Sequence, residues 1–308
     1  RIVGDGPLRE SLASQAAQLR LTEQLKFTGQ LGQPEVWAQL AWADVLLHTG
    51  IVAPSGDRDG LPNVIPEAMA AAVCSFDSLE GAIDTVIQTI QLGIPVARIE
   101  LLDDVQMDAV NRFSKLDYPV KDTLFVEFHG TEAGVKEQAE LVEAIAGENG
   151  GGQFKWATKP EDRTQLWTAR HDVTYANKAL RPGCEIWATD VCVPISRLAE
   201  CILESKKDLA ESFLIAPLVG HVGDGNFHLG FLIDRNDPKE IAEAERLNER
   251  LVMRALAMDG TCTGEHGIGL GKMKFLTAEH GEAVSVMRAV KKALDPLGIM
   301  NPGKIFTM

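Results

Sequence analysis

The 308-residue sequence has no run of lysine or arginine, and its formal net charge is −14. That balance argues against a nucleic-acid partner, whose phosphates call for a basic face. No apolar stretch reaches the about 18 residues that a membrane-spanning helix requires. There is no C-x-x-C pair, and the five cysteines (Cys74, Cys184, Cys192, Cys201 and Cys262) are odd in number. Reduced thiols in a reducing compartment are therefore expected, not a disulfide framework. An initiating methionine is missing too. The chain opens at Arg1 on a strand-like "RIVGDG", as a fragment would, which leaves any targeting signal upstream. Internal repeats and low-complexity linkers are also absent. What remains is a globular composition, 45% apolar and 24% charged, in a chain long enough for two ordinary domains or one large one.

Two unlike halves are joined near residue 73. Residues 1–72 read as α/β units: "RIV" is a short strand, "GDGP" a turn and "LRESLASQAAQLRL" an amphipathic helix. "LKFTG", "PEVWAQLAWA" and "DVLLHT" continue as strand, helix and strand. Gly4 and Gly6 at the first turn suit a phosphate approaching helix-terminal N–H groups. The third glycine of the dinucleotide fingerprint is missing. From Val73 the pattern changes. Separated strands ("PVARIELLD", "DTLFVEFHG", "QFKWA", "IWATDVCVP") alternate with helices, and one hairpin follows. Residues 73–308 are thus expected to be α+β, an antiparallel sheet with helices stacked on it, preceded by a partial Rossmann-like α/β segment.

The hairpin is "VGHVGDGNFHLG", residues 219–230. Asp-Gly between two β-favouring runs predicts a type I′ turn centred on Asp224 and Gly225. Counting outwards, Gly223 faces Asn226, Val222 faces Phe227 and His221 faces His228. Opposed residues project from one face with Cβ atoms roughly 5 Å apart. Two such imidazoles can share a metal ion or, if protonated, a small anion. The glycine-rich loop "GTCTGEHGIGLGKMKFL", residues 260–276, adds Glu265 and His266. It is not a nucleotide P-loop: His266 stands where the first Walker glycine belongs, and Met273 follows Lys272 in place of a hydroxyl residue. His221, His228 and Glu265 make the ligand set of an open divalent site, with His266 left as a general base. The plainer alternative is a pair of satisfied polar histidines. In "LWTARHDVTYANKAL", Arg170, Thr174 and Lys178 recur every four residues along one helix face. Such a face suits a carboxylate or is a solvated or ion-paired surface. The tail "DPLGIMNPGKIF" carries a turn at Asn301, Gly303 and Lys304.

Taken in order, "PVARIELLDD", "LWTARHDVTYA", "RPGCEIWATDVCVPISRL", "GHVGDGNFH", "GTCTGEHGIGLGK" and "DPLGIMNPGKI" closely resemble the C-terminal half of FAD-dependent D-lactate dehydrogenases. These group with glycolate oxidases and D-2-hydroxyglutarate dehydrogenases of the vanillyl-alcohol-oxidase type. The resemblance implies a substrate-side, or cap, domain that binds a zinc-like metal through His221, His228 and Glu265, with His266 as the base. It further implies Arg170 on the substrate carboxylate and the Asn301, Gly303 and Lys304 turn near FAD. Oxidation of a small D-2-hydroxy acid would then send electrons to a cytochrome, a quinone or a flavoprotein, not to NAD. The location implied is the bacterial cytoplasm or, in a eukaryote, the mitochondrion, peripheral to the membrane.

Residues 1–72 instead resemble the later part of the nucleotide-sugar domain of two-Rossmann glycosyltransferases, through "IVGDGPLR", "LKFTG", "ADVLLHTG" and "SGDRDGLPNVIPEAMA". That likeness implies donor contacts by Asp59 and, eight positions on, Glu67, with Asp59 where the family commonly has Glu. Residues that now serve only packing are the alternative. The joint expectation is a chimera: a dehydrogenase cap behind a truncated glycosyltransferase piece, with little turnover because the flavin domain is absent. A metal-binding module without catalysis is the other reading left open.

Overall fold

The computed structural model describes residues 1–3, 6, 8–32, 35, 38–39 and 68–307. The chain divides into two compact units, Arg1–Pro62 and Asn63–Met308. In the first, strand β1 (Ile2–Val3) pairs in parallel with β2 (Phe27–Gly29), and helix α1 (Arg9–Gln18) connects them. This is the strand-helix-strand order that the sequence suggested.

The second unit is an antiparallel sheet covered by helices on both faces. Its elements are β3 (Ala68–Ser75), α2 (Leu79–Gln91), β4 (Val96–Leu102), α3 (Asp104–Ser114), β5 (Thr123–Gly130), α4 (Glu132–Glu148), β6 (Lys155–Ala157), α5 (Pro160–His171), α6 (Val173–Leu180), β7 (Glu185–Ala188) and β8 (Val191–Cys192). Next come α7 (Leu198–Ala210), β9 (Leu218–Gly220), β10 (Asn226–Ile233), α8 (Pro238–Ala257), α9 (Met273–His280) and α10 (Ala283–Leu294). The strand order is β6-β3-β5-β4-β9-β10-β7, with β8 also pairing β10, and every pair is antiparallel. Strand β3 starts at Ala68, so the sheet takes in residues 68–72, which the change of pattern at Val73 had left with the first half.

Alternation along the strands feeds two cores, because successive side chains leave opposite faces. Ile99, Leu101, Phe227, Leu229 and Phe231 pack against α2, α4, α7 and α8 on one face. Leu102, Phe125, Trp167, Val173 and Ala176 form the other core, under α3, α5 and α6. Burying one such side chain is worth roughly 1.5–3 kcal/mol, which fixes the facing of each strand. Glu100 and His228 are thereby turned towards the second face. The five cysteines are free, in keeping with reduced thiols. No helix among the described residues is long and apolar enough to cross a membrane.

Candidate functional site

The hairpin is wider than the Asp-Gly turn predicts. His228 pairs with Val219 and Leu229 with Leu218, two residues out of the expected register. Residues 222–224 form a 3₁₀ turn that ends at Gly225, at φ +80°. The apolar Val222 is fully buried in the core beneath it. A Cβ on Gly225 would lie 2.1 Å from the Val193 carbonyl oxygen, so only glycine closes this loop. A slip of two residues, unlike a slip of one, preserves the face of every side chain. His221 and His228 are therefore diagonal rather than opposed, and their ring centroids still lie 5.9 Å apart.

The register on the other side of β9 supplies a partner that the sequence did not single out. Leu101 faces Gly220, so Glu100 lies across from His221. Glu100 Oε1 is 2.7 Å from His221 Nδ1, and its Oε2 accepts from Arg170 Nε at 3.0 Å. Burial opposes the Glu100 charge, but hydrogen bonding by His221 and the adjacent Arg170 hold its carboxyl below the usual range. The same contact raises the His221 imidazole. With Nδ1–H donated to Glu100, the His221 Nε2 lone pair faces the cavity, a carboxylate–histidine arrangement common behind metals.

His228 is oriented by a break in the neighbouring strand. The predicted strand "IWATDVCVP" is two strands, β7 and β8, interrupted at Thr189 and Asp190. The Leu229 N–H bonds to Thr189 Oγ1 at 2.8 Å instead of to the Thr189 carbonyl. That carbonyl lies 2.9 Å from His228 Nδ1, so Nδ1 donates to it and Nε2 carries the lone pair. Burial also favours the neutral imidazole by lowering the His228 pKa.

Glu265 completes the cluster. Its Oε1 lies 3.1 Å from His228 Nε2, 3.5 Å from His221 Nε2 and 3.3 Å from His266 Nε2. The ligand atoms of His221, His228 and Glu265 fall within 4.8 Å of one another. A carboxylate oxygen facing the lone pair of a neutral imidazole is repulsive unless a cation or a proton lies between them. The donor set therefore fits a divalent ion with two nitrogen ligands and one oxygen ligand. His266 stacks on His228, with centroids 5.0 Å apart, and is half exposed at the cavity mouth.

These groups line a cavity of about 630 Å³, together with Arg170, Thr174, Asn177, Lys178 and Glu185. The helix expected to carry Arg170, Thr174 and Lys178 is in fact two, α5 and α6, divided at Asp172. The Asp172 carboxylate accepts from Ser114 Oγ at 2.6 Å. All three residues nevertheless reach the cavity, and Arg170 Nη2 is 3.5 Å from His221 Nε2. Asn301, Gly303 and Lys304 stand on an exposed turn outside the cavity lining. There Asn301 and Gly303 have φ +47° and +72°, and the Ile305 N–H bonds to the Gly269 carbonyl. Gly4, Asp59 and Glu67 lie outside the described residues, while Gly6 is exposed in the first unit.

Residues 65–305 match the family of FAD linked oxidases, C-terminal domain, and residues 1–89 match glycosyl transferases group 1. A probable mitochondrial D-lactate dehydrogenase of Danio rerio is 53% identical over 79% of this chain and 49% of its own length. The mitochondrial D-lactate dehydrogenase [cytochrome] of Arabidopsis thaliana is 47% identical over 78% of this chain and 43% of its own. The chain thus spans about half the length of the relatives it matches. In fold it is similar to 4-ethylphenol oxidase from Gulosibacter chungangensis, with TM-score 0.60 at 16% identity over 79% of this chain and 55% of that one. With the family match covering most of its length, the chain belongs to the FAD-linked oxidases through their C-terminal domain.

Proposed function

We propose that this domain, which the sequence puts at residues 73–308 and whose first strand β3 reaches back to Ala68, is the substrate side of an FAD-dependent D-2-hydroxyacid dehydrogenase, with D-lactate as the leading substrate. The observation that carries the reading is the convergence of His221, His228 and Glu265 in a cavity that also holds Arg170 and His266. The 53% and 47% identities to proteins named as D-lactate dehydrogenases support the choice of substrate. By the same likeness the electron acceptor is a cytochrome, with a quinone or a flavoprotein as alternatives, and the location in a eukaryote is mitochondrial. A bound zinc-like cation supplies Lewis-acid polarisation of a hydroxyl, and FAD supplies the two-electron sink.

The chain's own residues do the rest. Arg170 spends Nε on Glu100 and turns Nη2 towards His221, so its guanidinium edge lies at the cavity to grip a substrate carboxylate. Glu100 fixes both that guanidinium and the His221 ring. The Thr189 carbonyl holds His228 in the tautomer that presents Nε2. His266, exposed at the mouth with its ring 3.3 Å from Glu265, takes the hydroxyl proton. Asn301, Gly303 and Lys304 are assigned to the cofactor edge, and no step is derived from them.

The test is a thermal melt of the zinc-treated chain with D-lactate, next to its visible spectrum before and after the addition. We expect D-lactate to raise the midpoint, Arg170→Ala to abolish the rise, and any flavin band present to bleach. Zinc binding with no response to hydroxy acids would instead mean a metal-binding module without catalysis. The match over residues 1–89 favours a second reading for the leading unit, a glycosyltransferase piece in which Gly4, Gly6, Asp59 and Glu67 meet a nucleotide sugar. Stabilisation by UDP- or GDP-sugars tests it.

A further inference from the structure

Asp190 is fully buried at the interruption between β7 and β8; it does not line the cavity, and its Oδ1 lies 3.8 Å behind His228, from the Nδ1 that faces away from the cluster oxygen. Instead its carboxylate gathers the glycine loop. It accepts from the backbone N–H of Glu265 at 3.2 Å and of His266 at 3.0 Å, and from Thr263 Oγ1 at 2.9 Å. Lys272 Nζ, at 2.7 Å, and Asn226 Nδ2, at 2.9 Å, complete its coordination. Lys272 also bonds to the Asp190 carbonyl at 3.0 Å, which gives a role to the lysine that mimics a P-loop. The fit between loop and sheet is tight. A Cβ on Gly264 would lie 1.9 Å from Asn226 Nδ2 and 2.8 Å from Asp190 Oδ1, far inside contact distance. By contrast the Glu265 side chain is about half exposed, and its ion-pair contacts among the described residues are with the three histidines.

We propose that Asp190, neutralised by Lys272, is the positioning residue that sets Glu265 and His266 against His221 and His228; the inference rests on the metal-site reading. The strand register makes the device rigid. Phe227 faces Val191 and Gly230 faces Ala188, so the same ladder brings Asp190 opposite His228. One ligand and the anchor of the other are thus held by adjoining strands. Charge-assisted bonds to a buried carboxylate are the stronger kind. They act on the loop through backbone N–H groups, so they fix its path while leaving both side chains free for chemistry.

The test is a Co²⁺ titration of the 308-residue chain, read by its visible d–d absorption, together with amide hydrogen exchange at Glu265 and His266. We expect one Co²⁺ per chain, none in His228→Ala, and about 10–100-fold weaker binding in Asp190→Asn with the far-UV spectrum retained. The two amides should exchange faster in that variant. A folded Asp190→Asn chain with native Co²⁺ affinity and native exchange overturns the proposal. If the native chain binds no Co²⁺, the metal reading fails by itself, and the exchange measurement alone decides the positioning role. If Asp190→Asn does not fold, Lys272→Met and Thr263→Val each remove one donor and should loosen both readouts several-fold. No change in either variant overturns the proposal.

Discussion

Strand β4 leads into two clusters of acids that are built on opposite principles. At Glu100, and at Asp190 beneath the glycine loop, each carboxylate has its own cation, Arg170 or Lys272, and is held below the usual carboxylate range despite burial, Asp190 well below it. Just past the strand end, Asp103, Asp104 and Asp122 share the single ammonium of Lys206. There burial, reinforced by the Asp103 and Asp104 charges, pushes Asp122 up to about 6. The difference separates charge that is fixed for use from charge that is merely tolerated. The proposed site, if it is to present lone pairs to a cation, needs its supporting carboxylates ionised and immobile. The second cluster has no such demand and leaves one proton in play.

Breaking a paired acid should cost most. Glu100→Ala leaves the Arg170 guanidinium and the His221 ring without their partner, and about 3 kcal/mol of stability should be lost in urea unfolding. A loss near zero would erase the contrast. Asp103→Ala should follow, at about 2 kcal/mol. Its carboxylate caps α3 through the Gln106 N–H, accepts from the Leu218 N–H and binds Lys206.

Asp122→Asn should act in the other direction. The folded carboxyl, near 6, binds its proton more tightly than an unfolded one, near about 4. Native stability therefore falls as pH rises from about 4 to 6. The asparagine variant escapes that fall, so it should gain about 1 kcal/mol over the native chain at pH 7.5 and nothing at pH 4. Melts at the two pH values check the sign, and a loss at pH 7.5 would place Asp122 with the paired acids. The smallest effect on the fold should come from Lys178→Met, within about 0.5 kcal/mol. This lysine is exposed at the cavity wall without an ion pair among the described residues. The variant should lower affinity for a carboxylate ligand, measured by calorimetry, without moving the melt.

Much of the site was legible from residue types. Two histidines around a glycine turn and a Glu-His step in a second glycine loop are uncommon, and the structure brings them together. The antiparallel α+β sheet could be read from strands that alternate with helices and include a tight hairpin. What escaped is register and exchange of partners. Asp-Gly suggested a two-residue turn, whereas the buried Val222 demanded a longer one. The even slip rescued the facing of the histidines. The break at Thr189 and Asp190 rests on a threonine hydroxyl taking the place of a carbonyl in the ladder, and composition does not reveal such a substitution. Glu100 was hidden because an acid in an apolar strand announces itself only once the strand across from it is known.

The strand order has a consequence in time as well as in space. Glu100 reaches His221 across 121 positions of sequence, and Asp190 reaches Glu265 across 75. Contacts so distant along the chain close late, because the entropy of the intervening loops is lost before the contact rewards it. During refolding, helix content should therefore recover first and cation binding last, in the slowest phase. A metal added at intervals would report when the sheet is finished, and a nascent or partly unfolded chain would be protected from loading an ion before it could control one.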